Sequence, residues 1–237
     1  MTFNAVVTAQ SLVEEIARRA NEIEAARRLP ADLAQKFAAA GLFRMLLPPA
    51  LGGHQTAPTE LAQALETLGQ ADASAAWCVM IGATTAALAN RLPPAVAREV
   101  FAAESVIAAG VFAPMGRAVD DGDHWTVTGR WQWGSGSQNA NWIAGGAVLM
   151  GPDGPLKDDD GQPRHRMMIF RADEVELLSA VPRVPYGVIS NRHGKGALPG
   201  EFPETPKPTA DASAANPSAY NNVSVFTPIR RPKMNGR

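Results

Sequence analysis

The stretch from residue 129 to residue 142 decides how the chain folds: it reads Gly-Arg-Trp-Gln-Trp-Gly-Ser-Gly-Ser-Gln-Asn-Ala-Asn-Trp. Bulky aromatic residues alternate with other residues at its start, which is typical of a β-strand. Because alternate side chains of a strand lie on one face, we expect Trp131, Trp133 and Ser135 to share a face. On the residues alone, such a row of aromatic side chains indicates packing in a core.

Segments rich in β-branched and aromatic residues lie on both sides of this stretch, with turn residues between them. The run Asp120-Asp121-Gly122-Asp123 predicts a hairpin turn. The predicted strands are 106–113, 125–133, 142–150 and 166–171. We therefore expect residues 105–184 to form an antiparallel, barrel-like β domain.

The preceding residues, 1–104, have the pattern of a helical domain. Pro30 and Gly41 are start and stop signals for a helix between them, and Pro58 begins another. The most apolar run, residues 75–89, is short for a membrane span and predicts a buried helix. Helices followed by strands place the chain in the α+β class.

The last 53 residues, 185–237, differ in composition from the rest. They hold eight of the 19 prolines and few large apolar residues. Such a segment buries too little apolar surface to offset its chain entropy, so we expect it to be mostly disordered and assign no elements to it. It is interpreted as a low-complexity tail that is native, truncated or read in a shifted frame.

Charge and cysteine content exclude several classes of function. The 22 basic and 23 acidic residues nearly cancel, so neither nucleic acid nor an anionic membrane is expected as a partner. The single cysteine excludes an internal disulfide, and the four scattered histidines predict no metal site. Because no targeting segment is visible, the expected location is the cytoplasm.

Two segments together resemble the acyl-CoA dehydrogenase superfamily. Residues 41–53 read Gly-Leu-Phe-Arg-Met-Leu-Leu-Pro-Pro-Ala-Leu-Gly-Gly, which is similar to a signature of its N-terminal domain, and residues 129–142 are similar to the flavin-contacting strand of its middle domain. Residues 110–117, Gly-Val-Phe-Ala-Pro-Met-Gly-Arg, look closest to the flavin-dependent monooxygenase branch, whose members are two-component hydroxylases.

The resemblance implies a flavin cofactor, FAD or FMN, held at the start of the 129–142 stretch. Trp133 matches the residue that stacks on the flavin ring, and Ser135 matches the hydroxyl that contacts its N5 edge. Gly134 and Gly136 have no side chain, so the ring can approach the backbone. The remaining implied cofactor-binding residues, which pass the flavin edge, are Phe112 and Ala113.

The resemblance also places a small-molecule substrate against the long apolar helix. The residues at helical spacing there are Trp77, Met80 and Thr84. On the residues alone, the pattern favours a place in the core for Trp77 and Met80. Asn139 departs from the family, since the hydroxylases often carry a histidine in its position. No catalytic residue is assigned.

The implied activity is that of a monooxygenase that uses reduced flavin from a separate reductase to act on an aromatic or other small organic substrate. One alternative is an acyl-CoA dehydrogenase, although the Thr-Glu-Pro and Gly-Ser-Asp stretches typical of those enzymes are absent. Another is an inactive or partner-dependent flavin-binding fragment. Full-length relatives are homo-oligomeric and end in a four-helix bundle, for which the tail shows no helical pattern.

Overall fold

The computed structural model describes residues 3–122, 124–178, 188–191 and 228–230. The helices are α1 Ala5–Gln10, α2 Val13–Arg18, α3 Ala20–Ala26, α4 Ala31–Ala39, α5 Pro58–Ala71, α6 Ala73–Ala86 and α7 Pro94–Phe101. The strands are β1 Ala108–Asp120, β2 His124–Trp131, β3 Trp142–Gly151, β4 Gly154–Pro155, β5 His165–Arg171, β6 Val175–Leu178, β7 Val188–Asn191 and β8 Pro228–Arg230. This order, helices and then a sheet, confirms the predicted α+β class; the domain boundaries at residues 104 and 184 stay a prediction.

Helix α6 is the central helix of the first half. Asp72 caps its N-terminus: the carboxylate accepts hydrogen bonds from the Ala75 N–H at 2.7 Å and from the Ser74 hydroxyl at 2.5 Å. The segment Ala73–Arg91 is long and apolar enough to cross a membrane by length and composition alone. Part of it is buried, as the sequence predicts: Val79 belongs to the core of the helices, and Leu88 belongs to a second core that the helices share with the sheet.

The sheet is built around the β1–β2 hairpin. Strand β3 lies on the far side of β1 from β2 and runs parallel to β1, while β5 runs antiparallel along β3. The β1–β3 pair therefore differs from the purely antiparallel arrangement that the sequence analysis expects. The difference arises because β3 passes β2 and adds to the opposite edge of β1, where it takes the direction of β1.

Strand β1 carries a bulge where its pairing with β3 shifts. Val111 pairs with Gly145 and Gly116 with Ala147, so four residues of β1 lie opposite the single residue Gly146. A Cβ atom on Gly146 would lie 2.5 Å from the Phe112 carbonyl oxygen. Only glycine allows the bulged backbone to come this close.

The indole of Trp131 fills the space between the first three strands. Cβ atoms placed on Gly116, Gly129 or Gly145 would each lie within 2.7 Å of a heavy atom, and in all three cases the Trp131 ring is among the closest neighbours. Its Nε1–H donates a 2.7 Å hydrogen bond to the Gly146 carbonyl, and the side chain is fully buried. One aromatic residue thus fixes the register of β1, β2 and β3 at the bulge.

The 41–53 segment is held by a buried arginine. The Arg44 guanidinium donates to the carbonyls of Phe101 at 3.1 Å and Ala103 at 2.8 Å, at the end of α7. It also donates to the carbonyls of Gly52 and Leu51 within its own segment. Burial lowers the pKa of Arg44. The segment that carries the first resemblance therefore has a structural role.

Most of the predicted tail, 185–187, 192–227 and 231–237, lies outside the described residues. The described residues of the tail form two short strands, and no predicted element corresponds to either of them. Val188–Asn191 pairs antiparallel with β2 and β6, and Pro228–Arg230 pairs antiparallel with the start of β2.

Substitution of Gly145 by alanine is expected to lower the free energy of unfolding by about 2 kcal/mol, because the new methyl group overlaps the Trp131 ring in a filled core. Chemical denaturation monitored by circular dichroism measures the change. Gly69→Ala is the matched control: its Cβ meets only Ala76 at 3.7 Å, and alanine favours a helix, so stability should stay equal or rise. Equal losses in both variants would contradict the role of the Trp131 packing.

Replacement of Arg44 by methionine should cost about 3 kcal/mol, since four carbonyl groups lose their donors while the volume is nearly kept. The same denaturation experiment measures the loss. Arg98→Met, at an exposed arginine of α7, is the control and should change stability little. An Arg44→Met variant as stable as the parent chain would show that these four hydrogen bonds are dispensable.

Candidate functional site

A cleft of about 680 Å³ separates two parts of the fold. One wall is formed by α3 and the residues that follow it, up to Leu29. The other is formed by the first turns of α6 and by the loop between β2 and β3. The volume lies within the range of small-molecule sites in proteins. A small organic ligand therefore has room in this cleft.

The side chain of Asn139 forms a hydrogen bond between the two walls of the cleft. The Asn139 amide donates a 3.0 Å hydrogen bond to the carbonyl of Leu29, which lies 110 residues earlier in the chain. Leu29 itself is 3% exposed. The β2–β3 loop is held at its end as well, because Asn141 exchanges hydrogen bonds with the backbone of Ile107. The loop is thus a fixed wall.

Ser135, Gly134 and Gly136 line this cleft, so three of the predicted cofactor-binding residues lie together there. The Ser135 side chain is 9% exposed and also borders a small cavity behind the cleft. That cavity is closed on its inner side by Phe43 and Ile107. A hydroxyl at this point can serve as donor or acceptor to a polar ligand edge.

The expectation that Trp133 shares a face with Trp131 is wrong. Strand β2 ends at Trp131, which is buried, whereas Trp133 is 56% exposed. The φ angle of Trp133 is +66°, so the backbone turns there into the left-handed region. Such a conformation is rare for a bulky residue and marks a site where the surrounding structure over-determines the backbone. The turn presents the indole outward, which suits a stacking role.

Phe112 and Ala113 lie in the bulge of β1, and both side chains are exposed. Neither is among the residues that line the cleft. Phe112 is 39% exposed, which is unusual for a phenylalanine in the middle of a sheet. Bulges of this kind re-aim side chains beside functional sites.

The three predicted substrate residues separate in the structure. Trp77 lines the cleft and is 49% exposed, so the substrate interpretation fits it better than the core interpretation. Met80 and Thr84 are half-buried further along α6 and do not line the cleft. The Thr84 hydroxyl is used within the helix, where it donates to the Met80 carbonyl at 2.8 Å.

Cys78 borders both the cleft and the small cavity behind it. Burial raises the pKa of its thiol to about 11, and the nearby Asp72 carboxylate adds to the shift. At neutral pH the side chain is therefore a neutral, weakly polar group. Cys78 therefore contributes to the wall of the cleft and does not act as a nucleophile.

Sequence reasoning missed the wall contributed by α3. Arg27, Arg28 and Glu24 line the cleft although they are 100 residues away from the β2–β3 loop in sequence. No sequence pattern identifies the connection between the walls, because the partner of Asn139 is a backbone carbonyl. Among the described residues, no group of three or more metal-ligating side chains comes together.

The residues present suit a flavin. Large planar ligands need apolar cover and a few polar groups at their edges. The cleft offers a half-exposed indole at Trp77 and a hydroxyl at Ser135, whereas Trp133, the residue before Gly134, is exposed but is not among the residues that line the cleft. Gly134 and Gly136 leave the backbone of the loop open to close approach, and a Cβ on Gly136 would meet nothing nearer than 3.9 Å.

Residues 7–92 match the family model of the acyl-CoA dehydrogenase N-terminal domain. The predicted resemblance to the acyl-CoA dehydrogenase superfamily is confirmed. The predicted likeness to its monooxygenase branch is confirmed as well, because the similar proteins carry monooxygenase names.

Two relatives with such names match beyond the helical part. An indole-3-acetate monooxygenase of Acinetobacter baumannii is 29% identical over 175 residues, which cover 72% of this chain and 43% of the relative. The oxygenase subunit HsaA of a flavin-dependent monooxygenase of Rhodococcus jostii is 34% identical over 146 residues, which cover 60% of this chain and 36% of the relative. The chain thus spans less than half the length of these relatives.

Solved structures show the same likeness. The HsaA monooxygenase of M. tuberculosis superposes with a TM-score of 0.69 at 26% identity, covering 79% of this chain and 49% of that one. XiaF of Streptomyces, solved in complex with FADH2 and glycerol, superposes with a TM-score of 0.70 at 23% identity, covering 82% of this chain and 49% of XiaF. The second match supports the fold alone.

The Cys78 thiol is expected to react slowly with a thiol-labelling reagent. With a pKa of about 11, its labelling rate should keep rising with pH up to pH 9.5, whereas an ordinary thiol levels off near 9. Because the chain has one cysteine, a stopped-flow assay reports this group alone. The denatured chain is the control, and a plateau of the native rate below pH 9 would contradict the burial of Cys78.

Proposed function

We propose that this chain forms the flavin- and substrate-binding part of a monooxygenase that uses reduced flavin to hydroxylate an aromatic or other small organic substrate. The observation that carries the proposal is the cleft, one wall of which combines Ser135, between two glycines, with the half-exposed indole of Trp77. The names of the relatives support it, since they are monooxygenases and one is the oxygenase subunit of a flavin-dependent system.

Each group would have a defined role. Trp133 would cover the flavin ring, and Ser135 would hydrogen-bond its polar edge, while the bulge at Phe112 and Ala113 would border it. Reduced flavin, when bound, supplies the electrons with which molecular oxygen is activated. Trp77 would pack against the substrate and keep water away from it. The neutral Cys78 thiol adds no charge to the site.

The reduced cofactor would come from a separate flavin reductase. This partner fits the printed description of the HsaA relative as an oxygenase subunit, and of a Rhizobium relative as the oxygenase component of a resorcinol hydroxylase. We further propose a cytoplasmic homo-oligomer in which residues 1–104 and 105–184 form a helical and a β domain. Both FAD and FMN fit the proposal, and the test below distinguishes them.

Titration of the purified chain with oxidised and reduced FAD and FMN tests the proposal. Flavin fluorescence reports the oxidised forms, and anaerobic quenching of tryptophan fluorescence reports the reduced ones. Trp133→Ala should weaken binding about tenfold, since a stacked aromatic contact and its apolar area are lost. Ser135→Ala should weaken it less. Val7→Ala, at a residue 66% exposed on α1, is the control and should bind as the parent chain does.

Turnover assays then separate the possible activities. With a flavin reductase and NADH, the proposal expects oxygen-dependent hydroxylation of simple phenols or indoles. Oxidation of an acyl-CoA without any hydroxylation would select the dehydrogenase alternative. Flavin binding without either activity would select a partner-dependent fragment, and no binding of any flavin would refute the proposal.

A further inference from the structure

One wall of the cleft is attached to the rest of the fold by very little buried surface. Residues 20–28, which are α3 and the two residues after it, line the cleft along most of their length. Between residues 21 and 28, Ile23 is 2% exposed, and the other seven residues are exposed. Helix α4 is only two residues longer than α3 but buries four of its residues. A segment with so few buried apolar contacts opens at a low cost in free energy.

The helical backbone is interrupted at both ends of this segment. Arg19, between α2 and α3, has φ and ψ angles of −100° and 4°, which are not those of an α-helix. Arg27, directly after α3, has a φ angle of +51°, in the left-handed region that few residues other than glycine adopt. Residues at the ends of elements are where proteins absorb the backbone changes of a hinge motion. Arg19 and Arg27 therefore divide α3 from the chain on either side.

The residues next to these two positions are held in place. The Arg19 guanidinium donates two hydrogen bonds, at 2.6 and 2.9 Å, to the carboxylate of Asp32 in the first turn of α4. Past the other end, Leu29 is buried and its carbonyl is bonded to Asn139. Because the ends are fixed and the middle is held by Ile23 alone, α3 can pivot about its ends without displacing its neighbours.

We infer that residues 20–28 form a lid of the cleft, which hinges at Arg19 and Arg27 and is held closed by Ile23. The inference rests on the proposed function, because that reaction needs a site that admits its ligand and then excludes water. In the closed position, Ile23 packs in the helical core and α3 completes the cleft. When Ile23 leaves the core, the cleft loses this wall and a ligand can enter or leave.

Hydrogen exchange of the ligand-free chain, measured by mass spectrometry, tests the motion. The amides of residues 20–28 should exchange about tenfold faster than those of α4. Ile23→Ala should raise the exchange rate of residues 20–28 about tenfold further, because the side chain that holds the lid closed is truncated. Ile16→Ala is the matched control, since it removes the same atoms from the same core, in α2. It should lower the stability of the chain and leave exchange in residues 20–28 unchanged, because these amides exchange through local opening.

Stopped-flow binding of oxidised FAD and FMN tests whether the motion controls access to the cleft. Ile23→Ala should raise the association and the dissociation rate constants by similar factors, about threefold, and change Kd little, because a lid affects entry and exit alike. The loss of a direct contact with the ligand would instead raise the dissociation rate constant alone. Ile16→Ala should change neither rate constant.

The two experiments separate this inference from the proposed function. Exchange of residues 20–28 as slow as that of α4, or an equal rise of their exchange rate in both variants, would overturn the lid. A flavin that binds with unchanged rate constants in Ile23→Ala, or with a change in dissociation alone, would also overturn it and leave the proposed function standing. If residues 20–28 open locally through Ile23 while no flavin binds, the motion stands and the monooxygenase proposal fails.

Discussion

The contact between the Trp131 indole and three glycines holds the sheet together where the site begins. The ring occupies the room that side chains on Gly116, Gly129 and Gly145 would need, and its N–H is bonded to the carbonyl of Gly146. Without this packing, the bulge in β1 would not be held at a fixed position relative to the end of β2. The end of β2 leads into the loop that lines the cleft, so the position of this loop depends on the core residue Trp131.

The end of β2 at Trp131 has a direct consequence for the cleft. Because the backbone turns at Trp133, the following loop leaves the sheet and crosses toward the N-terminal helices. Asn139 then bonds to Leu29, and the loop becomes the wall that carries Ser135. One hydrogen bond across 110 residues thus closes a site whose two walls belong to different halves of the chain.

The sequence predicted the class of fold and most elements because their signals are local. Prolines mark the starts of α5 and α7, and Gly41 marks the end of α4. It did not predict the parallel β1–β3 pair, which depends on which edge of β1 is free. It also placed Trp133 on the face of Trp131, since alternation cannot show where a strand stops. The wall that α3 contributes to the cleft could not be predicted, because it depends on a contact between distant segments.

The two segments that carry the family resemblance have different roles in the structure. In residues 41–53, Arg44 donates hydrogen bonds to four backbone carbonyls. The fold would need these hydrogen bonds even in a chain with no enzymatic activity. In residues 129–142, Trp131 is structural while Ser135 faces the cleft. A match to the first segment therefore supports the fold, and only the loop after Trp131 bears on chemistry. Asn139 in that loop forms a hydrogen bond between the two walls of the cleft, so it has a structural role in this chain.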